Sequence, residues 1–136
     1  MSDRLMKVPG PDHPIDIQPN LSRVIVVVGG QTIADTREAL TLREAGYSAV
    51  QYIPRRDVDM PALEPSDHTT WCPYKGEASY YDIAAGGKRS HNAVWTYETP
   101  LPAMAAIKGY IAFYPNRVDE ITQLSGGVAA LEGRGK

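Results

Sequence analysis

Glycine pairs divide this chain into short apolar segments, and this punctuation constrains the fold more than any other feature. Residues 23–28 are a mostly β-branched run that ends at Gly29-Gly30, and a second pair, Gly86-Gly87, separates two further apolar segments. β-Branched residues favour strands, and glycine pairs are typical of tight hairpin turns. The pattern predicts a mainly β protein: a single antiparallel domain with short helical segments.

Composition along the chain predicts three parts. Residues 1–14 are interrupted by prolines and form an N-terminal arm, because proline disfavours regular elements. Residues 15–124 form the folded domain, and a chain of 136 residues suits one hydrophobic core. Residues 125–136 are rich in glycine with little to bury, which predicts a flexible C-terminal tail.

Two segments have ambiguous periodicity. Residues 36–45 fit either a short helix ending at Gly46 or a continuation of the sheet, and residues 117–124 are a possible short helix. The apolar strand segments predict a buried core that includes Val26, Val28, Ile53, Trp95 and Phe113.

Charge, hydropathy and cysteine content limit the partners and the cellular location that we expect for this chain. The net charge is −2, so no global field attracts nucleic acid, and we do not expect the chain to bind nucleic acid. The longest aliphatic run, residues 24–28, is too short to cross a bilayer, and the N-terminus lacks an apolar signal region. The single cysteine, Cys72, excludes an intrachain disulfide. These observations predict a cytoplasmic protein without membrane contact.

The segment 66–81 is the densest in reactive groups. Cations and hydroxyls of the kind found here bind anionic groups, since guanidinium grips phosphate or carboxylate with paired hydrogen bonds. We predict that six residues bind a ligand and that most of them converge on one concave site: Arg43, Arg55, His68, Cys72, Tyr74 and Lys75.

Cys72 and His68 are also the candidate catalytic residues, because a lysine and a histidine nearby lower the pKa of a thiol. A lone cysteine among aromatic residues is equally typical of a small buried apolar side chain. The spacing of His13, His68 and His91 shows no ligand pairing with Cys72, so we predict no metal and no cofactor.

Several blocks together resemble the bacterial family catalogued as domain of unknown function 427, sometimes labelled nucleotidyltransferase-like. The most specific block is Cys72-Pro73-Tyr74-Lys75-Gly76, and the others are residues 13–15, 42–47, 52–55, 93–97 and 109–114. The resemblance implies a β-tent-like fold with a groove between antiparallel sheets.

The nucleotidyltransferase label requires carboxylates grouped around Mg²⁺. Asp35 stands alone, and Asp57 and Asp59 fit a turn or a helix start better, so the residues do not favour that label.

Three classes of function stay open. The first is binding of a small anionic or aromatic ligand in a groove beside residues 68–81. The second is a hydrolase or transferase that depends on the Cys72 thiol or the His68 imidazole. The third is a homodimeric protein-interaction module that pairs through a sheet edge.

Overall fold

The computed structural model describes residues 4–125, and antiparallel strands form most of this part of the chain. Four short 3-10 helices connect some of the strands: Arg55–Asp57, Met60–Ala62, Pro102–Ile107 and Pro115–Arg117. The strands are β1 Ile15–Pro19, β2 Arg23–Val28, β3 Gln31–Thr36, β4 Leu40–Glu44, β5 Val50–Tyr52, β6 Leu63–Cys72, β7 Gly76–Ala85, β8 Lys88–Thr96, β9 Ile111–Phe113 and β10 Glu120–Leu124.

The strands form three antiparallel sheets. Their orders are β1-β4-β5, β10-β2-β3 and β6-β7-β8-β9. The predicted mainly β fold is confirmed. The β-tent-like arrangement stays a prediction, with which three antiparallel sheets are consistent. In residues 4–125 we find no helix with the length and hydropathy to span a membrane.

The two predicted Gly-Gly hairpin turns pack against each other. All four glycines have positive φ, between 57° and 78°, as type I′ turns require. A Cβ built on Gly86 would lie 2.0 Å from the carbonyl oxygen of Gly29. Because no other residue leaves room for this approach, glycine at these positions fixes both the turns and their contact.

The core has two parts. One joins β2 and β3 to β7, β8 and β9, and its fully buried side chains include Val24, Val26, Ile83 and Val94. The other lies between the β1-β4-β5 sheet and the β6-β7-β8-β9 sheet, and it includes Leu42, Tyr52, Tyr80, Tyr97 and Ile107. Successive residues of β7, such as Tyr80 and Tyr81, therefore face different parts of the core.

The structure decides the two ambiguous segments in favour of strands. Residues 40–44 continue the sheet as β4, paired with β1 and β5. The possible helix over residues 117–124 is wrong, because Ile121 pairs with Val26 and β10 extends the β2-β3 sheet. The predicted tail falls mostly on residues 126–136, which lie outside the described part of the chain.

Four of the five predicted core residues are buried, namely Val26, Val28, Ile53 and Phe113. Trp95 is a correction, since it is only partly buried and packs at the margin of the second core part. Its indole lies beside a cleft, described below, that the sequence pattern did not predict.

Candidate functional site

Lys75, a predicted ligand-binding residue, is buried and already paired with a carboxylate. Its Nζ donates to Glu44 Oε1 at 2.5 Å, and the Lys75 and Glu44 side chains are 10% and 14% exposed. The Nε2 atom of His13 lies 2.7 Å from the other Glu44 oxygen. Burial raises the pKa of Glu44, but the bonds from Lys75 and His13 outweigh it and hold this pKa below its usual range. We call these three residues the Glu44 cluster.

Tyr74 joins the same cluster through His13. Their rings stack in parallel, with centroids 4.0 Å apart and planes 4° apart. The neighbouring carbonyl of Pro73 accepts a hydrogen bond from the Lys7 backbone N–H at 2.8 Å. The Cys-Pro-Tyr-Lys-Gly block therefore fastens the N-terminal arm and β4 onto the β6–β7 hairpin.

Arg55 lies in a different place and has its own partners. Its guanidinium donates to the Gly109 carbonyl at 3.1 Å, the Tyr81 hydroxyl at 3.3 Å and the Glu98 carboxylate at 3.0 Å. Burial lowers the pKa of Arg55, while Tyr81 and Glu98 raise it by more, so the net pKa lies above its usual value. This cation is neutralised by Glu98 and ties the 98–109 connection to β7.

His68 stands in a third place, against an aromatic row. Its ring centroid is 4.5 Å from that of Tyr80, and the Tyr80 hydroxyl lies 3.0 Å from Thr70 Oγ1 and 3.3 Å from the Tyr114 hydroxyl. Burial, followed by the bond with Tyr80, raises the pKa of Tyr114 to about 12. The Tyr114 phenol therefore remains neutral at physiological pH.

The six predicted ligand-binding residues are thus distributed. Tyr74 and Lys75 meet through the Glu44 cluster. Cys72 is partly buried and precedes Lys75 in the same hairpin, and four residues of extended strand, roughly 13 Å, separate it from His68. Arg43 is exposed, and it leaves the face of β4 opposite to Glu44. The roles of these residues in binding or catalysis stay predictions.

An open polar depression of about 520 Å³ lies beside β6, next to His68. Its lining includes Asp67, Asp82 and Asn92. The Asn92 backbone N–H donates to Asp82 at 2.8 Å, and this bond is the first cause that lowers the pKa of Asp82. Arg89 also donates to Asp82, at 3.1 Å. This carboxylate is therefore already satisfied within the protein.

A second, mainly apolar cleft of about 320 Å³ opens where β5 and β9 diverge. Ile53, just after β5, and Ile111 exchange two backbone hydrogen bonds of 2.8 Å each. Within residues 4–125 this bridge is the only pairing of the two strands. The residues that line the opening are Val24, Val26, Ala49, Val50, Gln51, Ile53, Trp95, Phe113, Pro115, Ile121 and Gln123.

The cleft has an apolar floor and one amide rim. Val24 and Val26 of β2 form the floor, and the Trp95 indole, which donates to the Tyr52 hydroxyl at 3.2 Å, forms one wall. At the rim, Asn20 Nδ2 donates to the side-chain oxygens of Gln51 at 2.8 Å and of Gln123 at 3.0 Å. A cavity of this size, apolar with a few placed polar groups, has the composition of small-molecule sites.

A family comparison matches residues 16–124 to the family described as domain of unknown function 427. The chain belongs to this family. A comparison with curated proteins found no match. The DUF427 match covers nearly all of the three sheets, so Glu44, Lys75 and the β5–β9 cleft lie inside the family domain, whereas His13 precedes the matched residues.

The two neighbouring acids Asp57 and Asp59 of this DUF427 domain make structural contacts. Asp57 accepts from the Thr36 hydroxyl at 2.7 Å, and Asp59 accepts from the Gln31 side chain at 3.0 Å. Across residues 4–125, no three histidine, cysteine, aspartate or glutamate side chains are grouped as metal ligands. Asp57 and Asp59 tie β3 to the segment that follows β5.

Sequence reasoning missed Glu44 and the whole cleft. Glu44 lies next to Arg43 in a block that carries the family resemblance. The block therefore marked this position of the sequence, but the binding prediction named Arg43 and not Glu44. The cleft had no comparable signal: Gln51 and Phe113 are ordinary strand residues, and only the divergence of β5 from β9 makes them line an opening.

Proposed function

We propose that this DUF427 domain binds a small aromatic molecule in the β5–β9 cleft. The observation that carries the proposal is an apolar opening of about 320 Å³ at the junction of the sheets, floored by core valines and walled by Trp95. Enclosing an aromatic ring there removes apolar surface from water on both molecules, which favours binding.

An anionic ligand at the predicted cations is less well supported. Glu44 already neutralises Lys75, and Glu98 already neutralises Arg55. A bound phosphate or carboxylate would have to compete with these carboxylates. The proposal therefore keeps the aromatic half of the expected ligand class and moves the site from the segment 68–81 to the cleft.

The two alternatives gain no specific support. A Cys72–His68 pair is separated by roughly 13 Å of extended strand, which is beyond hydrogen-bond reach. One sheet edge that a homodimer could use is β6, and this strand carries Pro65 and an irregular register between Pro65 and Thr69. Both features are typical of edges that avoid pairing.

The test is a methyl NMR titration of the full chain with naphthalene and, separately, with inorganic phosphate. We expect naphthalene to shift the methyl signals of Val24, Val26 and Ile121 in a saturable way, because these side chains line the cleft. We expect phosphate to leave them unchanged.

Two matched variants locate the binding. Ala49→Phe places a ring at the cleft mouth and should abolish the naphthalene shifts. Ser48→Phe adds the same ring to the exposed neighbouring residue, which does not line the cleft, and should leave them intact. The proposal is wrong if naphthalene causes no saturable shift, or if Ala49→Phe binds it as well as the parent protein does.

A further inference from the structure

We infer that the cleft recognises a planar heteroaromatic ring whose edge carries a hydrogen-bond donor beside an acceptor, such as a lactam. This inference rests on the proposed function and names the ligand class. It comes from the backbone of β5 and β9, where the ladder between them stops after one bridge.

Strand alternation defines which backbone groups face the cleft. In an antiparallel pair, residues that exchange two hydrogen bonds recur at every second position. Ile53 and Ile111 exchange two bonds, so the next such pair would be Gln51 with Phe113. The intervening residues point away, since Tyr52 pairs with Leu40 of β4 and Ala112 pairs with Trp95 of β8.

The expected bonds between Gln51 and Phe113 are not formed. Within residues 4–125 the Ile53–Ile111 bridge does not continue, so Gln51 and Phe113 do not exchange the next pair of backbone bonds. Each residue therefore presents one donor and one acceptor toward the opening, side by side on a strand edge. A half-enclosed peptide group without a partner is costly, so a ligand that supplies one gains affinity.

A ring edge with a donor beside an acceptor is the complement of such a strand edge. The apolar floor of Val24 and Val26 and the Trp95 wall suit the ring faces. An opening of about 320 Å³ suits a compact ring better than a peptide strand, which needs a continuous groove. At the rim, Gln51 and Gln123 use their side-chain oxygens on Asn20, which leaves their NH₂ groups as additional donors.

The test compares three bicyclic probes of nearly equal size on the full chain. Naphthalene has no polar edge, isoquinolone has a lactam N–H beside its C=O, and N-methylisoquinolone has the C=O alone. We expect isoquinolone to bind about tenfold more tightly than naphthalene, the equivalent of one or two satisfied hydrogen bonds. N-methylisoquinolone should lose most of that gain.

Amide NMR gives the residue-specific readout. Isoquinolone should move the amide protons of Gln51 or Phe113 downfield, and naphthalene should not. The amides of Ile53 and Ile111, which already donate to each other's carbonyls, are the internal controls and should stay in place.

The outcomes separate the two proposals. If naphthalene binds in the cleft and isoquinolone binds no more tightly, the inference is wrong and the proposed function stands. The inference is also wrong if isoquinolone gains affinity while both amide protons stay unmoved. If neither probe binds in the cleft, the proposed function falls, and the inference falls with it.

Discussion

The Glu44 cluster and the β5–β9 cleft are opposite solutions for polar groups in a small β domain. In the cluster, a buried lysine, a carboxylate and a histidine satisfy one another within 2.7 Å. In the cleft, within residues 4–125, two strands stop pairing after Ile53–Ile111, so the ladder does not continue to Gln51 and Phe113. The Glu44 cluster is closed, and its charged groups are paired with one another. The β5–β9 cleft is open, and its strand ladder is interrupted.

The comparison shows that the most recognisable residues of a sequence can serve structural contacts. In the Cys-Pro-Tyr-Lys-Gly block, Lys75, Tyr74 and Pro73 each have a specific structural partner. The cleft depends on backbone geometry and on ordinary apolar side chains. A search for functional residues that weighs distinctive side chains therefore finds the cluster and overlooks the cleft.

The largest expected effect on stability comes from removing the carboxylate at the centre of the Glu44 cluster. Glu44→Ala should lower the free energy of unfolding by about 3 kcal/mol, because it leaves the Lys75 ammonium buried without a counter-charge. Urea denaturation measures this loss. The double variant Glu44→Leu with Lys75→Met should recover much of it, since it removes both charges and keeps side-chain volume.

Arg56→Ala is the matched control, because it breaks an exposed ion pair with Glu38 and should change stability by less than about 0.5 kcal/mol. A Glu44→Ala loss as small as that of the control would contradict the description of a closed, interdependent cluster.

Trp95→Ala should have a smaller effect. The indole is only partly buried, so we expect a loss of about 2 kcal/mol, below the 3–5 kcal/mol typical of a fully buried tryptophan. The Trp95→Ala variant loses the hydrogen bond to Tyr52 and the contact with Tyr114, whose ring centroid is 4.4 Å from that of Trp95. Trp95→Phe keeps a ring and should cost less than about 1 kcal/mol. A loss above about 4 kcal/mol would place Trp95 in the closed core rather than at the cleft.

The smallest effect is a pH dependence confined to the cluster. The pKa of Glu44 is lowered in the folded protein, so its contribution to stability is present above the unfolded pKa of about 4.3 and is lost as pH falls through the folded value. Denaturation of the parent protein and of Glu44→Gln at several pH values measures it. Their difference in stability should shrink as pH falls below about 4, and a constant difference would contradict the lowered pKa.

Local sequence pattern predicted the strands well but predicted the sites poorly. β-Branched runs and Gly-Gly turns act over a few residues, so β2, β3, β7 and β8 could be predicted. Residues 117–124 could not, because pairing of Ile121 with Val26 is a tertiary choice that overrides local propensity. Trp95 was misassigned for a related reason, since burial at the end of a sheet depends on where neighbouring strands part.

The contact between the two Gly-Gly turns has a consequence for strand register during folding. Gly29 and Gly86 meet backbone to backbone, and a Cβ at either position would lie within 2.5 Å of the other turn. A one-residue slip that moves Val28 into the place of Gly29, or Ala85 into the place of Gly86, brings a side chain to this point and prevents the approach. The contact of the turns therefore disfavours hairpins that have slipped in that direction, because such hairpins cannot dock there.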